Sequence, residues 1–194
     1  VILNAIVAEA LEEFADKLEA AADFDAAVVE LVRETIIAHK RIIFNGDGYT
    51  DAWVEEAKSR GLLNLKSTPE ALPYMVKEKN IILFVKHGIF TEAEVRSRLE
   101  ISLENYSKAI RIEALAMLDM LFKDILPAAA LYTADLTAAA KSKKELGIAG
   151  SFETELASKI ATLSSLLYTD AEKLKAGLGD VVKTSAQAEA DYYH

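Results

Sequence analysis

The sequence contains no cysteine, and only 3 prolines and 8 glycines in 194 residues. Without cysteine there is no disulfide, no thiolate zinc site and no cysteine nucleophile. The absence suits a reducing cytosol. So few helix breakers predict long uninterrupted helices. Basic clusters are missing too: 22 Lys and Arg stand against 31 Asp and Glu, the net charge is −9 and the isoelectric point is about 4.9. A nucleic-acid partner, which needs a basic face, is therefore excluded. No apolar run reaches the roughly 20 residues that span a bilayer. The opening VILNAIVAEALEEF lacks the basic start of a secretory signal. A cytoplasmic chain with no membrane partner is expected.

The sequence is 52% hydrophobic and 27% charged, a globular composition. Residues 1–40 alone supply six of the nine excess negative charges, which reads as a solvated acidic helix face. Over residues 2–22, Leu3, Val7, Leu11, Phe14 and Leu18 recur every three or four positions, and they predict a helix with these side chains inward. A second helix is expected from Asp25 to Arg41, with Val28, Leu31, Val32 and Ile36 inward. Thr50 or Asp51 caps a third that stops at Gly61. Thr68 caps a fourth with Pro69 in its first turn. A short apolar piece, Ile81 to Lys86, closes at Gly88.

Thr91 to Glu94 forms a capping box, and it opens the longest helix. Its stripe is Leu99, Leu103, Tyr106, Ile110, Ala114, Met117, Leu121 and Ile125, sustained long enough to demand antiparallel partners. Pro127 is expected to kink or break it. An Ala-rich continuation ends at Gly147, Ser151 caps a helix to about Lys175 carrying Leu156, Ile160, Leu163 and Leu167, and Gly177 and Gly179 interrupt it before a last helix in DVVKTSAQAEADYYH. The fold class is all-α: a multi-helix bundle with one long central helix kinked or broken near Pro127, and no β-sheet. It is read as a single region, 1–194, with a sub-division into short helices (1–90) and a long helical hairpin (91–194) as the alternative. Val1 lacks a cap before it and Tyr192-Tyr193-His194 lacks an ending signal, so both ends are expected to be cuts.

The loop NGDGYTDAWVEE, Asn45 to Glu56, invites a test for chemistry. As an EF-hand it has Thr50 where glycine is required. As a phosphate loop it has no Gly-Lys-Ser/Thr. Gly46 and Gly48 are better read as supplying positive-φ backbone in a tight connection. His39, His87 and His194 form no His-x-x-x-His or Glu-x-x-His pair, so a di-iron type bundle site is not expected. His39 and His87 sit at helix ends in structural roles. Glu113 lies between Ile110 and Met117 on the apolar stripe; if buried it needs a cation from another helix or subunit. Met117 and Met120 read as core filling. No nucleophile, base and anion hole assemble. The residues name no catalytic, cofactor-binding or metal site, and a small helical enzyme acting through Glu113 and His39 is the least favoured reading.

Several stretches, LNAIVAEALEEFADKLE, HKRIIFNGDGYTDAWVEEAKSRGLLNL, ALPYMVKEKNIILFVKHGIFTEAEVRSRLEISLENYSKAIRIEALAMLDMLFKDILPA and the terminal AEADYY, resemble the C-terminal region of type III glutamine synthetases. The resemblance runs in order through Val1 to Ala128 and is weaker over residues 129–185. It implies a parent enzyme that ligates ammonia to glutamate through a γ-glutamyl phosphate, using ATP and divalent metal (magnesium). Most of the family's metal, ATP and glutamate ligands precede this stretch, and no carboxylate motif or arginine cluster here matches its active site, so no catalytic residue carries over and no cofactor is expected in this chain. It also implies partners: the catalytic domain of the same chain and neighbouring subunits of a homo-oligomer, a dodecamer of two hexameric rings. The role expected is architectural support. The alternative is a free-standing helical protein-interaction module.

Overall fold

The computed structural model describes residues 1–181 and 184–194. The helices are α1 Ile2–Glu19, α2 Phe24–His39, α3 Asp51–Ser59, α4 Thr68–Ala71, α5 Glu78–Lys86, α6 Glu92–Met120, α7 Leu126–Glu145, α8 Ser151–Gly179 and α9 Ala186–Tyr193. Among the described residues there is no strand, and no helix is long and apolar enough to cross a membrane. Of the expected terminal helix, residues 182 and 183 lie outside the described residues. The chain divides into two compact units, Val1–Ser102 and Leu103–His194.

Local chemistry sets the helix ends. The Asp23 side chain accepts the Ala26 N–H at the start of α2, and Thr50 accepts that of Trp53 at the start of α3. The capping box at Thr91 forms as expected, with Thr91 N–H donating to Glu94 at 2.8 Å and Glu94 N–H donating to Thr91 Oγ1 at 3.3 Å. Gly61, Gly88 and Gly147 take φ of 71°, 60° and 69°. At each, the following residue's N–H reaches back over the last turn: Leu62 to Ala57 O, Ile89 to Phe84 O and Ile148 to Lys143 O. This pattern satisfies carbonyls that would otherwise be orphaned.

Two caps differ from expectation. Ser67, not Thr68, caps α4, because Glu70 sits three residues on and closes a second capping box. Gly150 stands at the cap of α8 and Ser151 is its first helical residue. Nor do Gly177 and Gly179 interrupt α8. An interior glycine costs only about 1 kcal/mol, and here the last turns are held by Leu174 and Leu178 against Leu118, Leu121 and Ala171, and by Tyr192 Oη donating to Gly177 O at 2.9 Å.

In the first unit the core is small. Ala5, Phe84 and Val95 are buried, with Met75, Val76, Ile81, Leu83, Ile89 and Phe90 packed around them. Phe90 meets Phe84 edge-on, 5.5 Å between centroids, and the Arg98 guanidinium lies 4.3 Å over the Phe90 ring. The predicted inward faces of α1 and α2 are a correction. Leu3, Val7, Leu11, Val32 and Ile36 are exposed, and only Phe14, Leu18, Val28 and Leu31 are partly covered. α1 approaches α5 through Ala5, a side chain too small to bring its neighbours with it.

In the second unit α7 and α8 pack as a hairpin, with Leu136 and Ala157 buried. Gly150 lets its mouth close, since a Cβ there would lie 3.3 Å from the Ala140 backbone. On α6 the stripe is largely as expected, but Met117 and Ile125 are exposed and Leu118 is buried in their stead. Pro127 does not break the helix. It is preceded by a π-helical turn, Leu121–Ile125, in which the Leu126 N–H donates to Leu121 O five residues back. The wider turn accommodates the missing Pro127 donor, and the helix runs on for 54 residues in all.

These burials separate two substitutions. Phe84→Ala is expected to destabilise the chain by about 3–5 kcal/mol, whereas Val7→Ala stays within about 0.5 kcal/mol, both read from urea unfolding midpoints. Equal losses would return Val7 to the core.

Candidate functional site

The densest charged constellation joins α1 to α5. Glu9 and Glu12 stand one turn apart on α1, and Lys86 and His87 end α5, so four side chains from two helices meet. Lys86 Nζ lies 2.9 Å from Glu9 and 3.1 Å from Glu12. The His87 Nε2–H donates to Glu9 Oε2 at 2.6 Å and sits 3.7 Å from Glu12. The Glu9, Glu12 and His87 donor atoms all lie within 4.8 Å of one another, and by residue type they could hold a divalent cation. The Lys86 ammonium already sits between the two carboxylates, so the arrangement works as an ion-paired clamp. The Lys86 hydrogen bond, then that of His87, holds Glu9 below the usual carboxylate range. The Glu9 and then the Glu12 carboxylate raise Lys86 above the usual lysine value.

The sequence places Glu9 and His87 nearly eighty residues apart, and helix periodicity cannot link them. The one available signal was the spacing of Glu9 and Glu12 on a common face. His39 ends α2 and is exposed. Glu113 is a correction: it is exposed, because the buried positions around it are Ala114 and Leu118, and it therefore needs no buried cation.

The Asn45–Glu56 loop is built from its own side chains. Phe44 stacks on Trp53 at 4.0 Å and 24°. Asp47 Oδ1 accepts the Tyr49 N–H at 2.9 Å, and Thr50 Oγ1 donates to Asp47 O at 3.0 Å, which together set the turn. Arg60 donates to Arg41 O and Ile43 O at 3.2 and 3.0 Å, pairs with Glu56, and lies 5.4 Å over the Trp53 ring. Neither Gly46 nor Gly48 has positive φ, contrary to expectation. Gly46 is needed for space: a Cβ would lie 2.6 Å from Phe44 Cζ.

The family model described as the glutamine synthetase C-terminal domain matches residues 27–144. The chain belongs to the glutamine synthetase C-terminal domain family. Glutamine synthetase of Butyrivibrio fibrisolvens is 43% identical over 173 residues, covering 84% of this chain and 24% of the relative. Type-3 glutamine synthetase of Dictyostelium discoideum is 45% identical over 132 residues, 66% of this chain and 18% of the relative. Glutamine synthetase of Bacteroides fragilis (strain YCH46) is 37% identical over 136 residues, 68% and 19%. The chain thus spans a quarter or less of these relatives. Within the C-terminal domain match fall the Phe44–Trp53 loop, Lys86, His87 and the π turn, whereas Glu9 and Glu12 precede it.

Gly46→Ala forces the Phe44 ring off Trp53, and the tryptophan emission is expected to shift red; an unchanged spectrum would place the ring elsewhere. The clamp also gives a pH signature. Glu9 is depressed from 4.5, so its stabilisation is present above that value and is lost as pH falls through the folded pKa. Lys86 is raised above 10.5, so its contribution is present below that value and is lost as pH rises through the folded pKa. Glu9→Gln is expected to lower the Tm at neutral pH and to flatten both limbs of the Tm–pH profile. A profile superimposable on wild type would remove the clamp.

Proposed function

We propose that this chain is a non-catalytic, architectural part of a glutamine synthetase. It supports the catalytic domain and contributes contacts to neighbouring subunits of a homo-oligomer in the cytoplasm. The parent ligates ammonia to glutamate at the expense of ATP, with magnesium or another divalent ion, and those ligands belong to the part of the enzyme that precedes this one. The observation that carries the reading is the uncovered apolar side of α1 and α2. Leu3, Val7 and Leu11 on α1 and Val32 and Ile36 on α2 are each more than half exposed, which is what a helix pair docked on a larger body shows once that body is removed. Each such side chain contributes about 1.5–3 kcal/mol when fully buried.

The clamp fits this role. It fixes α1 on α5 through Glu9 and Glu12, on the side of α1 away from Leu3, Val7 and Leu11, so that the exposed face is held in one orientation. Crosslinking tests the reading in the full-length enzyme, with lysine-reactive reagents acting on Lys17 and Lys40. Links from these residues to the catalytic domain and to a neighbouring subunit are expected. If every link stays within the helical region, the supporting role is lost and a free-standing interaction module takes its place.

A further inference from the structure

α8 carries more apolar surface than α7 covers. Its Leu156, Ile160, Leu163 and Leu167 are spaced four, three and four apart, the interval of a helix–helix seam. Leu156 and Ile160 are half-buried, but Leu163 and Leu167 are 55% and 41% exposed. From Ile160 to Thr169 the helix bears no charged side chain, in a chain whose net charge is −9. A solvated helix face normally carries charge, and a neutral one loses little on leaving water.

The charges at the two ends of this run indicate what covers it. Lys159 precedes it and Asp170 follows it, and eleven residues, three helical turns, bring them back to nearly the same flank of α8. We propose that this seam pairs with the same seam of a second copy, the two α8 helices lying antiparallel about a two-fold axis near residue 165. An antiparallel arrangement sets Leu163 against Leu167 and Lys159 against Asp170, twice each by symmetry. A parallel pair, with its axis along the seam, carries the two Lys159–Asp170 flanks to opposite sides, so neither charge meets its complement. Lys159 makes no ion pair among the described residues. Asp170 pairs with Lys173 at 2.8 Å, but both side chains are largely exposed, and such a pair exchanges at little cost. The seam therefore carries its own complement, which only another copy supplies at both ends. The proposal rests on the reading of this region as an oligomer contact and assigns that contact to α8.

Sedimentation velocity of the chain over the micromolar range tests it, with circular dichroism to confirm that each variant is folded. The wild type is expected to form a dimer, and Leu163→Lys/Leu167→Lys a helical monomer. Lys159→Asp and Asp170→Lys should each weaken the dimer by roughly tenfold, as a lost close charge pair does, and the double variant Lys159→Asp/Asp170→Lys should restore it. That rescue separates pairing across the axis from a merely structural role of either residue. A wild type that stays monomeric, a dimer indifferent to Leu163→Lys/Leu167→Lys, or a double variant that fails to recover overturns the proposal. A monomeric chain whose full-length enzyme still yields crosslinks to the catalytic domain removes the α8 pairing and leaves the supporting role standing.

Discussion

The constraint on which this structure turns is the small amount of apolar surface the chain covers for itself. In α1 only Ala5 is buried, and in α2 no residue is. The first unit is held by Phe84 and Val95 with their neighbours and, on the α1–α5 side, by charge. Where packing supplies little, a clamp of two carboxylates, an ammonium and an imidazole supplies direction. Its pairs are partly exposed, and each contributes modestly. What they provide is geometry: four groups on two helices satisfy one another in a single relative placement.

Much of this was legible beforehand. Helix ends follow from local chemistry, so Thr50, Thr91, Gly61, Gly88 and Gly147 declare themselves in the sequence and do in the structure what their side chains or backbone freedom require. Ser67 and Thr68 are both good caps by residue type, and Glu70 decides between them by its spacing. The inward faces were less legible. Periodicity identifies an apolar side of a helix but does not say what lies against it, and the stripes of α1 and α2 are real without being covered here. The Glu9–His87 contact was invisible for another reason: it depends on α1 lying beside α5, which no local pattern encodes.

Membership of the glutamine synthetase C-terminal domain family gives these features a common sense. A region read as architecture needs firm internal joints and open outer faces, and the chain has both. The Phe44–Trp53 stack, held by Arg60 and the Asp47 turn, is one such joint. The Lys143–Glu153 pair across the α7–α8 connection is another; there the ammonium hydrogen bond, ahead of the Glu153 backbone amide, lowers the carboxyl from its ordinary value.

The π turn before Pro127 has a consequence for how this region tolerates change in length. Up to Leu121 the covered positions of the long helix, Ala114, Leu118 and Leu121, follow one another at four and three. Beyond it Leu126, Ala129, Thr133, Leu136 and Ala140 do so at three, four, three and four. At the turn itself both Leu121 and Phe122 are covered, one more residue on the packed side than a regular α-helical turn places there. The turn absorbs one residue and thereby keeps two stretches of sequence in phase against a single uninterrupted α8. The segment is thus a spacer of fixed count. Loss of one residue there would shorten the helix by only about 1.5 Å, yet it would rotate everything after it by a full residue step, whereas a loop of the same chain could lose a residue with no such effect.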